Sequence, residues 1–115
     1  MMKKFIITLA LFFLLSIPAH AIMSFGDIEN AKNMSYSDLN FSGNYVSVTI
    51  ENDNDAPVRF VASMVFATLF DEVLGEALVV VSMIPPKGEV SVREIIRNGD
   101  PKKCVNASKI YWVFH

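Results

Sequence analysis

The sequence predicts an all-β fold, an antiparallel sandwich of about seven strands. Val46, Val48 and Ile50 alternate with Tyr45, Ser47 and Thr49, the two-residue period of a strand with one buried face. Clusters of turn formers recur about every ten residues, between short runs rich in Val, Ile and Phe. Val79, Val80 and Val81 stand in a row. Such β-branched residues lose rotamer freedom in a helix and pack well on a pleated surface.

The first residues read MMKKFIITLALFFLLSIPAHA. Lys3 and Lys4 precede an apolar run from Phe5 to Ile17, followed by Pro18 and the small-x-small triplet Ala19, His20 and Ala21. This order predicts a cleavable secretory signal peptide (residues 1–21), cut after Ala21, and a periplasmic or secreted mature protein of bacterial type. The apolar run falls short of the roughly 20 residues that a spanning helix needs, so no membrane attachment is expected after cleavage. Cys104 lies far from where a lipoprotein signal would place its cysteine. In a bacterial setting the Asn-x-Ser triplets at Asn33, Asn40 and Asn106 are coincidental; in a eukaryote they would be candidate glycan sites.

Cleavage would remove two of the 10 basic residues and none of the 12 acidic ones. A mildly acidic chain of this kind offers no electrostatic footprint for nucleic acid or for an anionic membrane surface. What remains suffices for one small domain with one core. A single cysteine cannot form an internal disulfide, so that core has to hold the domain by itself.

Residues 22–43 mix Ser, Asn, Asp and Gly with isolated apolar residues, and are expected to form a loose N-terminal arm with one strand near Met34 to Phe41. Residues 44–115 are expected to form the sandwich. After the strand at Tyr45–Ile50, NDNDAP (Asn52–Pro57) breaks the pattern as a solvated hairpin loop. A strand from Val58 to Phe70 follows. The next stretch, FATLFDEVLGEALVVV, fits both a helix and a hairpin. Its helical stripe (Phe66, Leu69, Phe70, Val73, Leu74, Ala77, Leu78, Val81) is continuous, and Gly75 would cost a helix only about 1 kcal/mol. The valine run and the clustering of Asp71, Glu72, Gly75 and Glu76 favour the hairpin. It would place Phe66, Leu69, Phe70, Leu78 and Val80 in the core and the turn at Asp71–Glu76. IPPKGE turns the chain again, and Val90 and Val92 alternate with Ser91 and Arg93. Residues 97–106 read as a polar loop. The last strand places Ile110, Trp112 and Phe114 on one face, with Lys109, Tyr111 and Val113 on the other.

Leu69-Phe70-Asp71, Gly75 and Pro85-Pro86-Lys87-Gly88-Glu89 follow one another in an order that resembles the FxLYD-type domains of bacterial exported proteins. Leu69, Phe70 and Asp71 take the Leu-Tyr-Asp positions, with Phe in place of Tyr, and Ala67 stands where the family has Phe. The resemblance spans Tyr45 to Val92. It implies an immunoglobulin-like sandwich with the Asp71 turn at one end, and a role as an extracytoplasmic interaction module without known catalytic residues.

Glu51, Asn52, Asp53 and Asp55 supply hard oxygen donors of the kind that bind calcium in cadherin linkers, and Asp53 and Asp55 are the weak metal candidates. The spacing departs from the cadherin pattern, and an EF-hand is excluded because Met64 stands where its twelfth-position Glu belongs. A solvated loop is the simpler reading, so neither a metal nor a cofactor is expected. Cys104, between Lys103 and Val105, is the candidate reactive thiol, since Lys102 and Lys103 would lower its pKa. After Ala21 the only histidine is His115, and no nucleophile–base pair or phosphate loop can be assembled. The chain is therefore expected to be a non-enzymatic interaction or accessory module that binds a protein or envelope component through loops or an edge strand, with Tyr45 and Tyr111 as the candidate exposed aromatic contacts. The alternatives are an assembly subunit that donates the arm Ile22–Ser42 as a strand, and a metal- or thiol-binding role.

Overall fold

A computed structural model describes residues 22–115; the expected signal peptide, with Ala19 and Ala21, lies outside the described residues. The chain forms β1 (Gly26–Asp27), β2 (Met34–Ser42), β3 (Tyr45–Asn52), β4 (Val58–Ala67), β5 (Val73–Ile84), β6 (Gly88–Ile95), a one-turn helix α1 (Pro101–Cys104) and β7 (Lys109–Phe114). They assemble as two antiparallel sheets, β1-β2-β3-β6 and β5-β4-β7. The expected β-sandwich is the architecture of the chain.

Three consecutive strand pairs stay within a sheet: β1–β2, β2–β3 and β4–β5. The β2–β3 hairpin pairs Ser42 with Tyr45, and Gly43 adopts a φ of 59°, a conformation without steric cost for glycine. The β4–β5 hairpin pairs Phe66 with Gly75 and Met64 with Ala77, so the disputed stretch is a hairpin and not a helix. The links β3–β4, β5–β6 and β6–β7 each change sheet, so NDNDAP is a crossover rather than the hairpin loop expected.

The alternation in β3 puts Val46, Val48 and Ile50 inside, against Phe60, Ala62, Met64 and Phe66 of β4 in one continuous core. Aromatic edges bridge the sheets. Phe41 of β2 meets Phe66 of β4 at 5.1 Å between ring centroids, and Tyr36 of β2 meets Trp112 of β7 at 5.8 Å.

Three expectations need correction. The strand expected near Met34 to Phe41 is β2, but the rest of the arm is not loose: β1 pairs with β2, β2 pairs with β3, and Ile28, Met34 and Tyr36 are buried. The turn of the central hairpin lies at Thr68–Glu72, not Asp71–Glu76. Ala77 and Val79 therefore point inward, while Leu69, Phe70, Leu78 and Val80 are exposed. The polar loop after β6 also carries α1, with Asp100 as its N-cap accepting from the Lys102 amide at 3.0 Å and Pro101 at its first position.

Candidate functional site

Side chains alternate along a strand, so the parity that fills the core also decides what each sheet shows to solvent. On the four-stranded sheet the outward rows are polar: Ser37 stands beside Thr49 and Ser91, and Ser35 beside Glu51 and Glu89. These groups satisfy one another. Thr49 Oγ1 and Ser91 Oγ lie 2.8 Å apart, and Ser35 Oγ donates to Glu51 Oε2 at 2.9 Å.

The three-stranded sheet is different. Val61 pairs with Val80, Val65 with Tyr111, and Ser63 sits between Leu78 and Val113. The outer face thus carries an aliphatic strip, with Leu78 43% and Val80 60% exposed, and Glu76 and Lys109 lie on the same face nearer the β4–β5 turn. Contiguous apolar surface of this kind marks interaction sites more often than isolated exposed residues do.

Strands β5 and β7 are the two edges of that sheet, and both ends of β5 are blunted. Glu76 exchanges both backbone hydrogen bonds with Arg97, at 2.9 and 2.7 Å. A register shift between the Val58–Ile84 and Phe60–Val81 pairs leaves an extra residue at Ser82–Met83. Such devices limit strand addition and turn the emphasis from the edge to the face.

At the end of this face the β4–β5 turn projects Leu69 and Phe70. The Thr68 amide donates to the Glu72 carbonyl at 2.9 Å, and Thr68 Oγ1 accepts from the amides of Phe70 and Glu72 at 3.2 and 3.1 Å. Asp71 occupies the left-handed region, with φ of 66°, a conformation that Asp tolerates better than most residues. Its carboxylate clasps β7, accepting from Lys109 Nζ at 3.0 Å and from the Tyr111 hydroxyl. These two hydrogen bonds and the ammonium charge hold the Asp71 carboxyl below the usual range. The same clasp raises Lys109 and Tyr111. The outcome is a braced turn that holds Phe70 out with 93% of its surface exposed, beside exposed Leu69 and Val73.

Tyr45 and Tyr111 both reach solvent, but from the outer faces of different sheets, so they do not share a site. The Arg93 guanidinium lies 4.2 Å from the Tyr45 ring centroid, and Tyr111 is held by Asp71. Lys87 sits between Asp53 and Asp55, its Nζ 3.1 and 3.6 Å from their carboxylates, in the place a calcium ion would need. Among the described residues no three His, Cys, Asp or Glu converge as a metal site. Asn52, read as a donor for calcium, is buried instead. Its amide donates to the carbonyls of Ala56, Ile84 and Pro85 at 3.0–3.1 Å, tying two sheet crossovers together.

The geometry does not favour Cys104 as the candidate reactive thiol. The thiol is fully buried against Gly75 and Ile96, and burial, aided by the negative Asp100, pushes its pKa up to about 11. Burial and the Asp100 charge both disfavour the thiolate, so the thiol is held protonated rather than activated. Sequence reasoning missed the Phe70 tip. Thr68, with an acid three residues on and a glycine beyond, was the available sign of a tight turn earlier than Asp71. No protein-family model, curated protein or solved structure matches the chain.

Proposed function

We propose that this chain is an exported, non-enzymatic module that binds a protein or envelope component through the outer face of β5-β4-β7. The observation that carries this reading is the contrast between the two sheets: one outer face is a self-satisfied Ser/Thr/Glu ladder, the other a run of exposed valines and leucine. Leaving such a face in water forfeits about 25 cal/mol per Å² that a partner would recover. The secretory pattern of residues 1–21 supports a periplasmic or secreted setting. The likeness to FxLYD-type domains supports an interaction role.

Donation of Ile22–Ser42 to a neighbour is the weaker reading, because it would first withdraw Ile28, Met34 and Tyr36 from the chain's own core. A photo-crosslinking residue at Val80, on the apolar face, is expected to yield a covalent protein adduct in the producing cells. The same probe at Ser91, on the polar face, is expected to yield none. Equal labelling from both positions, or none from Val80, would defeat the proposal.

A further inference from the structure

We infer that, independently of any partner on the outer face, Asn98 is a self-modification site: the Gly99 amide nitrogen attacks the Asn98 carboxamide, and the product unfastens β5 from the loop beside it. Asn98-Gly99 is the one Asn-Gly pair in the chain; every other asparagine is followed by a residue with a side chain, which hinders such an attack. Asn98 and Gly99 are both exposed, and Asn98 lines a recess of about 420 Å³ that is open to solvent. The Gly99 amide donates to no backbone carbonyl among the described residues, which leaves its nitrogen free to react.

The fold imposes this pair. Asn98 stands in the left-handed region, with φ of 55°, a conformation that Asn tolerates better than most residues. A Cβ on Gly99 would collide with the Leu74 carbonyl oxygen and lie 2.6 Å from Gly75 Cα, so only glycine fits. The reaction consumes water alone. Hydroxide takes the Gly99 amide proton, the nitrogen bonds to Asn98 Cγ, and the Cγ–Nδ2 bond breaks, releasing ammonia with a proton from solvent. Water then opens either carbonyl of the cyclic imide, leaving aspartate or isoaspartate at this position. Glu76 restrains the first step. Its Oε1 accepts from Asn98 Nδ2 at 2.6 Å, which holds the carboxamide, and its charge opposes the anion that forms at Cγ. Arg97 and His115 share the recess but form no ion pair with Glu76, so that charge is not cancelled.

The product cannot keep this arrangement. A carboxylate at position 98 would face the Glu76 carboxylate where the hydrogen bond was, and like charges repel. Isoaspartate also adds a methylene to the backbone of a two-residue link. Arg97 is anchored before that link by two hydrogen bonds to Glu76, at 2.9 and 2.7 Å, and Asp100 after it by its amide, which donates to the Leu74 carbonyl at 2.9 Å. The strain falls on the bridge that blunts β5 and on α1, whose Cys104 packs against Gly75.

Ageing the purified chain in warm, mildly alkaline buffer, followed by peptide mapping for isoaspartate, is the test. Position 98 is expected to convert ahead of every other asparagine. Glu76→Gln, which removes the opposing charge, should speed conversion about two- to fivefold, the size of one exposed charge interaction. Asn98→Asp should lower the melting temperature, and lower it less in a Glu76→Gln background. Aged chain should expose Cys104 to aromatic disulfide reagents faster than fresh chain does. Earlier conversion at another asparagine, a rate that Glu76→Gln leaves unchanged or slows, or Cys104 labelling unaltered by ageing would each overturn the inference. So would an Asn98→Asp penalty of equal size in both backgrounds.

Discussion

A Cβ placed on Gly75 would lie 2.7 Å from Cys104 Sγ and 3.0 Å from Ile96 Cγ2. The glycine in β5 and the cysteine in α1 therefore explain one another: the strand gives up a side chain so that the thiol can pack against its backbone. In the sequence Gly75 looked like a turn glycine, and its actual partner stands 29 positions further on, where no local pattern points to it. Gly75→Ala is expected to destabilise by about 1–3 kcal/mol through overpacking, read from denaturant midpoints at constant slope. Cys104 should resist aromatic disulfide reagents at pH 8, since a thiol with a pKa near 11 is about one part in a thousand thiolate there and is shielded as well. Its labelling rate should follow unfolding. Rapid stoichiometric modification of the native protein would contradict that account.

Among the elements, the β4–β5 turn has a measurable pH signature. The Asp71 carboxyl is depressed in the folded chain, so its contribution is present above its ordinary value of 3.8 and is lost as pH falls through the lower, folded value. Lys109 and Tyr111 are raised, so their contributions hold below 10.5 and 10.0 and fade as pH rises through the higher, folded values. Hydrogen exchange at the Asp71 and Glu72 amides, corrected for the intrinsic pH dependence, is expected to show greatest protection between about pH 4 and 10. Asp71→Asn, which keeps the tolerance for positive φ but removes the charge, should cut that protection; protection equal to wild type across the range would show that the clasp does not brace the turn.

The hairpin itself was legible from its valines and its acidic turn, whereas the phase of its second arm was not. Ala77 and Val79 are apolar, and so are Leu78 and Val80, so a one-residue slip in register exchanges the faces there without disturbing the hydrophobic pattern. In β3 the alternate residues Ser47, Thr49 and Glu51 are polar, and there the same reasoning placed Val46, Val48 and Ile50 in the core correctly while missing the buried Asn52. Strand β5 hides its phase for the same reason that it is of interest: at Leu78 and Val80 its outer face is as apolar as its inner one.

For the whole molecule, short strands between regular turn signals were enough to specify a sandwich. The pairing that builds it was not visible, because β3 joins β6 and β4 joins β7 across long stretches of intervening chain. Asn52 sits where that non-local wiring converges. Its amide bonds to Ile84 and Pro85 bridge 32 and 33 residues, and form only once both crossovers have been drawn to the same end of the sandwich. Contacts absent from the folding transition state act on the unfolding rate alone, which makes Asn52 a kinetic latch more than a folding nucleus. Asn52→Ala, which strands three carbonyls, is expected to cost about 1–3 kcal/mol, nearly all of it as faster unfolding in stopped-flow traces. A matching loss in folding rate would instead place the latch early. For a small domain without a disulfide to lock it, the lifetime of the native state would then depend measurably on one buried amide.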